Sequence, residues 1–211
     1  MFITFEGLDG AGKSTQIARL VDRLNRAGHK VTATREPGGT PVGDELRRIL
    51  LDSPADAVAP ATEALLYAAS RAQLVARVIS PALAEGRHVL CDRYVDASLA
   101  YQGQGLNLGM PAVAQVNQFA TGGLQPDLTF LFDVSVDISR HRIEVSRQGQ
   151  QPDRIEQRDD GFFQRVRNAF LQIAAEQPQR VVILDATAQP GALEEEIWYH
   201  VAKRLDILNS I

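Results

Sequence analysis

"FEGLDGAGKST", residues 5–15, follows a short apolar run and ends in Lys-Ser-Thr. Its core, Gly7 through Ser14, matches G-x-x-x-x-G-K-[ST] at every fixed position. The glycines let backbone N–H groups curl around an anion, and the N-terminus of a following helix adds positive potential. A dinucleotide-binding turn does not fit, because the glycine order is G-x-x-G-x-G and Lys-Ser has no role in that fingerprint. The stretch reads as a phosphate-binding loop in which Gly7, Leu8, Asp9, Gly10, Ala11, Gly12, Lys13, Ser14 and Thr15 hold a nucleoside triphosphate. Lys13 is expected on the β- and γ-phosphates and Ser14 on Mg²⁺.

Outward from this loop, apolar runs suited to buried strands recur at 2–5, 31–34, 88–91, 128–133 and 181–185. Amphipathic stretches at 15–27, 42–51, 62–85, 111–121, 136–146, 161–176 and 192–208 alternate with them. Strands alternating with helices predict an α/β fold with a parallel sheet covered on both faces and ligands at the strand C-termini. A chain of 211 residues, 45% hydrophobic, suits one domain over 1–211. The polar segment 146–160, with Arg147, Arg154 and Arg158, reads either as a solvated loop or as a mobile lid.

A net charge of −4 with both signs interspersed disfavours wholesale binding to nucleic acid or an anionic membrane. The lone Cys91 excludes an intramolecular disulfide and fits a reducing compartment. Without a signal-like start or an uncharged run long enough to span a bilayer, a cytoplasmic protein is expected. His29, His88, His141 and His200 are scattered and suggest no histidine chemistry.

The run "VLCDRY", 89–94, ends a strand in Asp92-Arg93. An acid there can hold a Mg²⁺-bound water, and an arginine beside it can bridge donor and acceptor phosphoryl groups. No N-K-x-D element supports a GTPase, and no strand ends in paired acids as a motor or AAA-type ATPase requires.

Together with "TREPGGTPVGDELR", "YAASRAQ", "DRYVDASLAYQGQG" and "PDLTFLFDV", the loop places the chain close to one family. In order and spacing these motifs resemble those of bacterial thymidylate kinases over nearly the whole length. The resemblance implies a P-loop nucleoside monophosphate kinase fold with a five-stranded parallel sheet and a small mobile lid at about 146–160. It implies transfer of the γ-phosphoryl of Mg²⁺·ATP to dTMP, and a homodimer for which the 62–85 helix is a candidate interface. It places Arg47 and Arg93 on the dTMP phosphate, Tyr67 against thymine, and Arg71 on its O4 carbonyl. Ser70, Gln102, Ser98 and Glu36 complete the acceptor site, Tyr101 lies near C2′, and Asp9 is set to accept from the 3′-hydroxyl.

Two departures matter. Many members carry Phe where this chain has Tyr67, so a hydroxyl needs a partner. Some carry an arginine inside the P-loop where this chain has Gly10, so transition-state charge is expected from the lid. Arg142, Arg147 and Arg154 are the candidates, Arg147 first and Arg154 next. A kinase for a different nucleoside monophosphate and an ATP-driven P-loop switch protein are the competing readings.

Overall fold

The computed structural model describes residues 1–54, 56–147 and 151–209, with side chains through Leu205. Five strands, β1 (Phe2–Gly7), β2 (Val31–Arg35), β3 (His88–Asp92), β4 (Leu128–Asp133) and β5 (Val181–Asp185), form one sheet in the order β2-β3-β1-β4-β5. Every pairing is parallel; Phe5 lies opposite Asp92 on one side and Phe130 on the other. Central β1 is buried throughout, which is why it reads as a continuous apolar run rather than an alternating one. Parallel pairing sets Gly7, Arg35 and Asp92 along one edge, the edge that carries the P-loop.

Helices α1 (Lys13–Arg26), α2 (Pro41–Asp52) and α3 (Pro60–Leu74) are followed by a π-helical turn (Val75–Ile79) and α4 (Ser80–Ala84). The expected single helix over 62–85 is therefore interrupted. Pro81 has no N–H to continue the ladder, and the Ser80 N–H reaches back five residues to the Val75 carbonyl. Next come α5 (Val95–Ser98) with a π-helical continuation (Leu99–Gly105), then α6 (Met110–Thr121), α7 (Val136–Arg147), α8 (Asp160–Glu176) and α9 (Pro190–Asn209).

The α5 segment has no counterpart in the sequence pattern, because Gly103 and Gly105 lower its helical propensity. A Cβ at Gly105 would lie 2.6 Å from the Phe162 ring, so the glycine is needed for α8 to pack there. One core gathers Ile3, Phe5, Phe130 and Phe132 of the sheet with Phe162, Phe163, Val166 and Phe170 of α8 and Ile197 and Val201 of α9. The second, across the sheet, joins Phe2, Val89, Cys91 and Tyr94 to Leu74 and Ile79. Cys91 is a buried strand thiol, pushed up by burial.

Candidate active site

At Gly7, Gly10 and Gly12 the loop turns through φ of 132°, 72° and 95°, values open to glycine and strained for other residues. A Cβ at Gly7 would collide with the Phe132 carbonyl, and one at Gly10 would come within 2.8 Å of the Ser139 carbonyl. Gly10 is thus the place where α7 lies against the loop. Leu8 and Ala11 turn their side chains into the core, leaving their backbone for the anion. The buried Lys13 Nζ donates to the Leu8 carbonyl at 2.9 Å and the Gly7 carbonyl at 3.3 Å; burial and Arg93 lower its pKa.

Ser14 Oγ donates to Asp92 Oδ2 at 3.0 Å, bringing together a hydroxyl from α1 and the carboxylate that ends β3. Two hard oxygen donors beside a phosphate cradle suit Mg²⁺, which takes one or two protein oxygens together with phosphate oxygens. Gly10, Gly12, Lys13, Ser14, Thr15, Asp92 and Arg142 line this cleft.

Beside it lies a second cleft, lined by Tyr67, Arg71, Ser98, Tyr101, Gln102, Asp153 and Ile155 among others. Asp9, Glu36, Arg47 and Arg93 line both clefts. Arg93 sits at φ 70°, an uncommon value for a side-chain-bearing residue. Three bonds hold that turn: the Arg93 N–H donates to Phe5 O at 3.0 Å, the Tyr94 N–H to Glu6 Oε1 at 2.7 Å, and the Cys91 thiol to the Arg93 carbonyl at 3.0 Å. The guanidinium reaches Asp9 Oδ1 at 2.8 Å and the Tyr101 hydroxyl at 3.3 Å, with its central carbon 5.0 Å from that ring's centroid. Its Nη1 is buried without a partner, as expected of a donor meant for an anion. Burial opposes ionisation of Asp9, but Arg93 and Lys13 outweigh it and hold the carboxyl at about 2.

Arg71 is almost wholly enclosed. Its Nε donates to Glu36 at 2.6 Å, Nη1 to Ser98 at 2.9 Å and to Asn117, and Nη2 to the Tyr94 carbonyl at 2.9 Å. Ser70 Oγ accepts from the Gly38 N–H at 3.0 Å behind the cleft wall, fixing the turn after β2. Arg47 donates to the Pro37 carbonyl at 3.0 Å on the same turn, whereas its neighbour Arg48 is exposed and pairs with Glu45. Tyr67 lies one helical turn after Glu63, and burial together with that carboxylate pushes its hydroxyl pKa up.

The expected lid divides. Residues 148–150 of the 146–160 segment lie outside the described residues. Arg147 pairs with Glu156 at 2.6 Å, and Arg154 is buried against Glu63 at 2.8 Å. Neither is among the residues lining the two clefts; of the three lid candidates only Arg142 is, donating to the Ala186 carbonyl at 2.9 Å and to Gly10 O at 3.4 Å. Ser146, next to Arg147, also lines the P-loop cleft.

Sequence reasoning passed over Arg35 in the phosphate cleft, Asn117 behind Arg71, and Asp153 and Ile155 in the acceptor wall. Arg35 had a signal in "TREP"; Asn117, on α6, had none. The histidines are less scattered than expected, since His88 Nε2 and His29 Nδ1 lie 3.2 Å apart at the opposite end of the strands.

The thymidylate kinase family model matches residues 5–197. The thymidylate kinase of Deinococcus radiodurans is 53% identical over 204 residues, 97% of each chain. That of Trichlorobacter lovleyi is 49% identical over 211 residues, covering 98% of this chain and 99% of its own. Among solved structures, the crystal structure of thymidylate kinase from Ehrlichia chaffeensis has a TM-score of 0.77 and 30% identity, over 95% of this chain and 98% of that one. Sheet order, phosphate loop and these likenesses agree: the chain belongs to the thymidylate kinase family.

Proposed function

We infer that the chain is a thymidylate kinase, transferring the γ-phosphoryl of ATP to dTMP to give dTDP and ADP. One observation carries the reading: a phosphate-binding cleft and a second, aromatic-walled cleft meet at Asp9, Glu36, Arg47 and Arg93. A hydrolase needs only the first. Two clefts joined by an arginine with an unpartnered donor fit two nucleotides whose phosphates meet.

In the site we propose, ATP lies on residues 7–15 with its terminal phosphates against Lys13 and the loop N–H groups. Ser14 and Asp92 would hold Mg²⁺, whose charge neutralises the β- and γ-phosphate oxygens. The dTMP phosphate rests between Arg47 and Arg93, thymine lies against Tyr67 with Arg71, Ser98 and Gln102 around its polar edge, and the sugar sits beside Tyr101 and Asp9; Ser70, expected on that edge, is buried behind the wall on the Gly38 N–H and supports the turn instead. A dTMP phosphate oxygen then attacks the γ-phosphorus in line, while Arg93 spans acceptor and migrating group. That oxygen is already a nucleophile, so no general base is required, and exclusion of water decides that dTMP rather than solvent is phosphorylated.

Arg147 is assigned as the lid arginine that completes this charge: the adjacent Ser146 lines the P-loop cleft, and the side chain needs to exchange Glu156 for phosphate. Residues 146–160 then act as lid to a single kinase domain, 1–211. A cytoplasmic homodimer fits the family. Leu65 on α3 and Phe119 on α6, 57% and 92% exposed, supply apolar surface for that pairing. Among the described residues no helix is long and apolar enough to cross a membrane.

A coupled ADP-release assay with dTMP, dUMP, dCMP, dGMP and AMP tests the reading. dTMP should give the highest kcat/KM; a better acceptor, or ATP hydrolysis indifferent to all five, would reject it.

A further inference from the structure

We propose that Glu63 is a positioning residue that clamps the lid to the acceptor cleft, so that dTMP binding depends on a carboxylate that does not itself touch dTMP. The proposal rests on the acceptor-cleft assignment above. Glu63, on α3, is fully buried. Its Oε2 meets two guanidinium groups from the lid, Arg154 Nη1 at 2.8 Å and Arg158 Nη2 at 2.6 Å. Its Oε1 accepts from Gln102 Nε2 at 3.0 Å, and Gln102 lines the acceptor cleft. One carboxylate thus grips the lid with one oxygen and the cleft floor with the other.

The chain around Arg154 shows what the grip accomplishes. Its side chain runs beneath the cleft wall, with Nε donating to the Leu50 carbonyl at 2.8 Å, and its N–H donates to the Leu51 carbonyl at 3.2 Å. The residues on either side, Asp153 and Ile155, line the acceptor cleft. Arg154 is therefore the root of the wall, and Glu63 is the counter-charge that lets that root be buried. A charge enclosed without its partner is strongly disfavoured. Without Glu63, two like charges face each other, one of them buried, and the wall must lift to return Arg154 to water. None of Glu63, Gln102, Arg154 and Arg158 lines the P-loop cleft, so the consequence falls on the acceptor and not on ATP. The tie between Arg154 and Glu63 is one of charge, since Arg154 Nη1 and Nη2 are buried without a hydrogen-bond partner, and it gives Arg154 an anchoring role.

Glu63→Gln, which keeps the side chain's size and an acceptor for Gln102, tests the clamp. The KM for dTMP should rise at least about tenfold while the KM for ATP stays within about twofold. Trypsin should cut after Arg154 and Arg158 at least about tenfold faster in the ligand-free variant than in the parent, with dTMP slowing the cut, because local opening governs cleavage. Arg158→Gln, at the outer edge of the cluster, should show the same split to a smaller degree with a normal melting temperature, and it decides the matter if Glu63→Gln does not fold. The clamp is overturned if both KM values move together in step with the melting temperature, or if dTMP KM and cleavage rate match the parent. An enzyme that phosphorylated another monophosphate would defeat the functional reading instead; the cleavage rates without ligand would still decide the clamp.

Discussion

Gly10 is the residue at which sequence and structure meet most sharply, and a single methyl group tests what it does. At φ 72° any other L-residue is strained, by about 1–2 kcal/mol. In Gly10→Ala the new Cβ would also lie 2.8 Å from the Ser139 carbonyl and 3.2 Å from Arg142 Cβ. Both neighbours belong to α7, so relief requires moving the helix, at about 1–3 kcal/mol by analogy with other overpacked sites. Gly12→Ala supplies the internal control: φ is 95°, but nothing lies within 4 Å of its Cβ, so only the backbone strain applies. Gly10→Ala should therefore be less stable than Gly12→Ala by about 1–3 kcal/mol, a further fall in melting temperature of roughly 2–12 °C for a chain of this size. Differential scanning calorimetry of the two variants without nucleotide measures this. Equal melting temperatures, or a lower one for Gly12→Ala, would refute the argument that α7 is what excludes a side chain at position 10. The same contact explains why an arginine at position 10 is incompatible with this arrangement of α7.

Two further outcomes follow from the site. Arg147→Ala should lower kcat by at least about a hundredfold with little change in dTMP affinity, as for an arginine acting on the transition state; a normal kcat would move the role to Arg142, which already lines the cleft. Asp9 has its pKa lowered from 3.8 to about 2 by Arg93 and Lys13 against the cost of burial. Its contribution to stability is complete above the unfolded value and is lost as pH falls through the folded one. Stability of the parent should thus fall more steeply than that of Asp9→Asn between pH 3.8 and about 2, checked by urea titrations across that window; parallel pH profiles would count against the Asp9–Arg93 pair.

The fold was largely legible because its signals are local. The three inner strands, β1, β3 and β4, are buried runs, the edge strands β2 and β5 are short apolar runs between polar turns, and the P-loop glycines sit where φ is positive. The break at 75–79 was present in the sequence as Pro81, but the smooth periodicity of 62–85 outweighed it. The α5 segment and its continuation were hidden by Gly103 and Gly105, which read as breakers until Met110 of α6 is placed against the first and α8 against the second. Within the site, the P-loop, Asp92, Arg93 and Tyr67 announce themselves through motifs and residue chemistry. Glu63 does not: its partners lie 39, 91 and 95 residues away, and on α3 alone it is one more acid in a first turn. Asn117 is silent for the same reason. Arg154 is the opposite case: its chemistry fits phosphate, and only the structure shows it buried beside Glu63.

The most direct test of the site is a crystal structure with dTMP and a non-hydrolysable ATP analogue. The account predicts thymine against Tyr67, the dTMP phosphate between Arg47 and Arg93, and the analogue's terminal phosphate on Lys13 across from it. Thymine bound away from Tyr67, or a monophosphate held without Arg93, would contradict it.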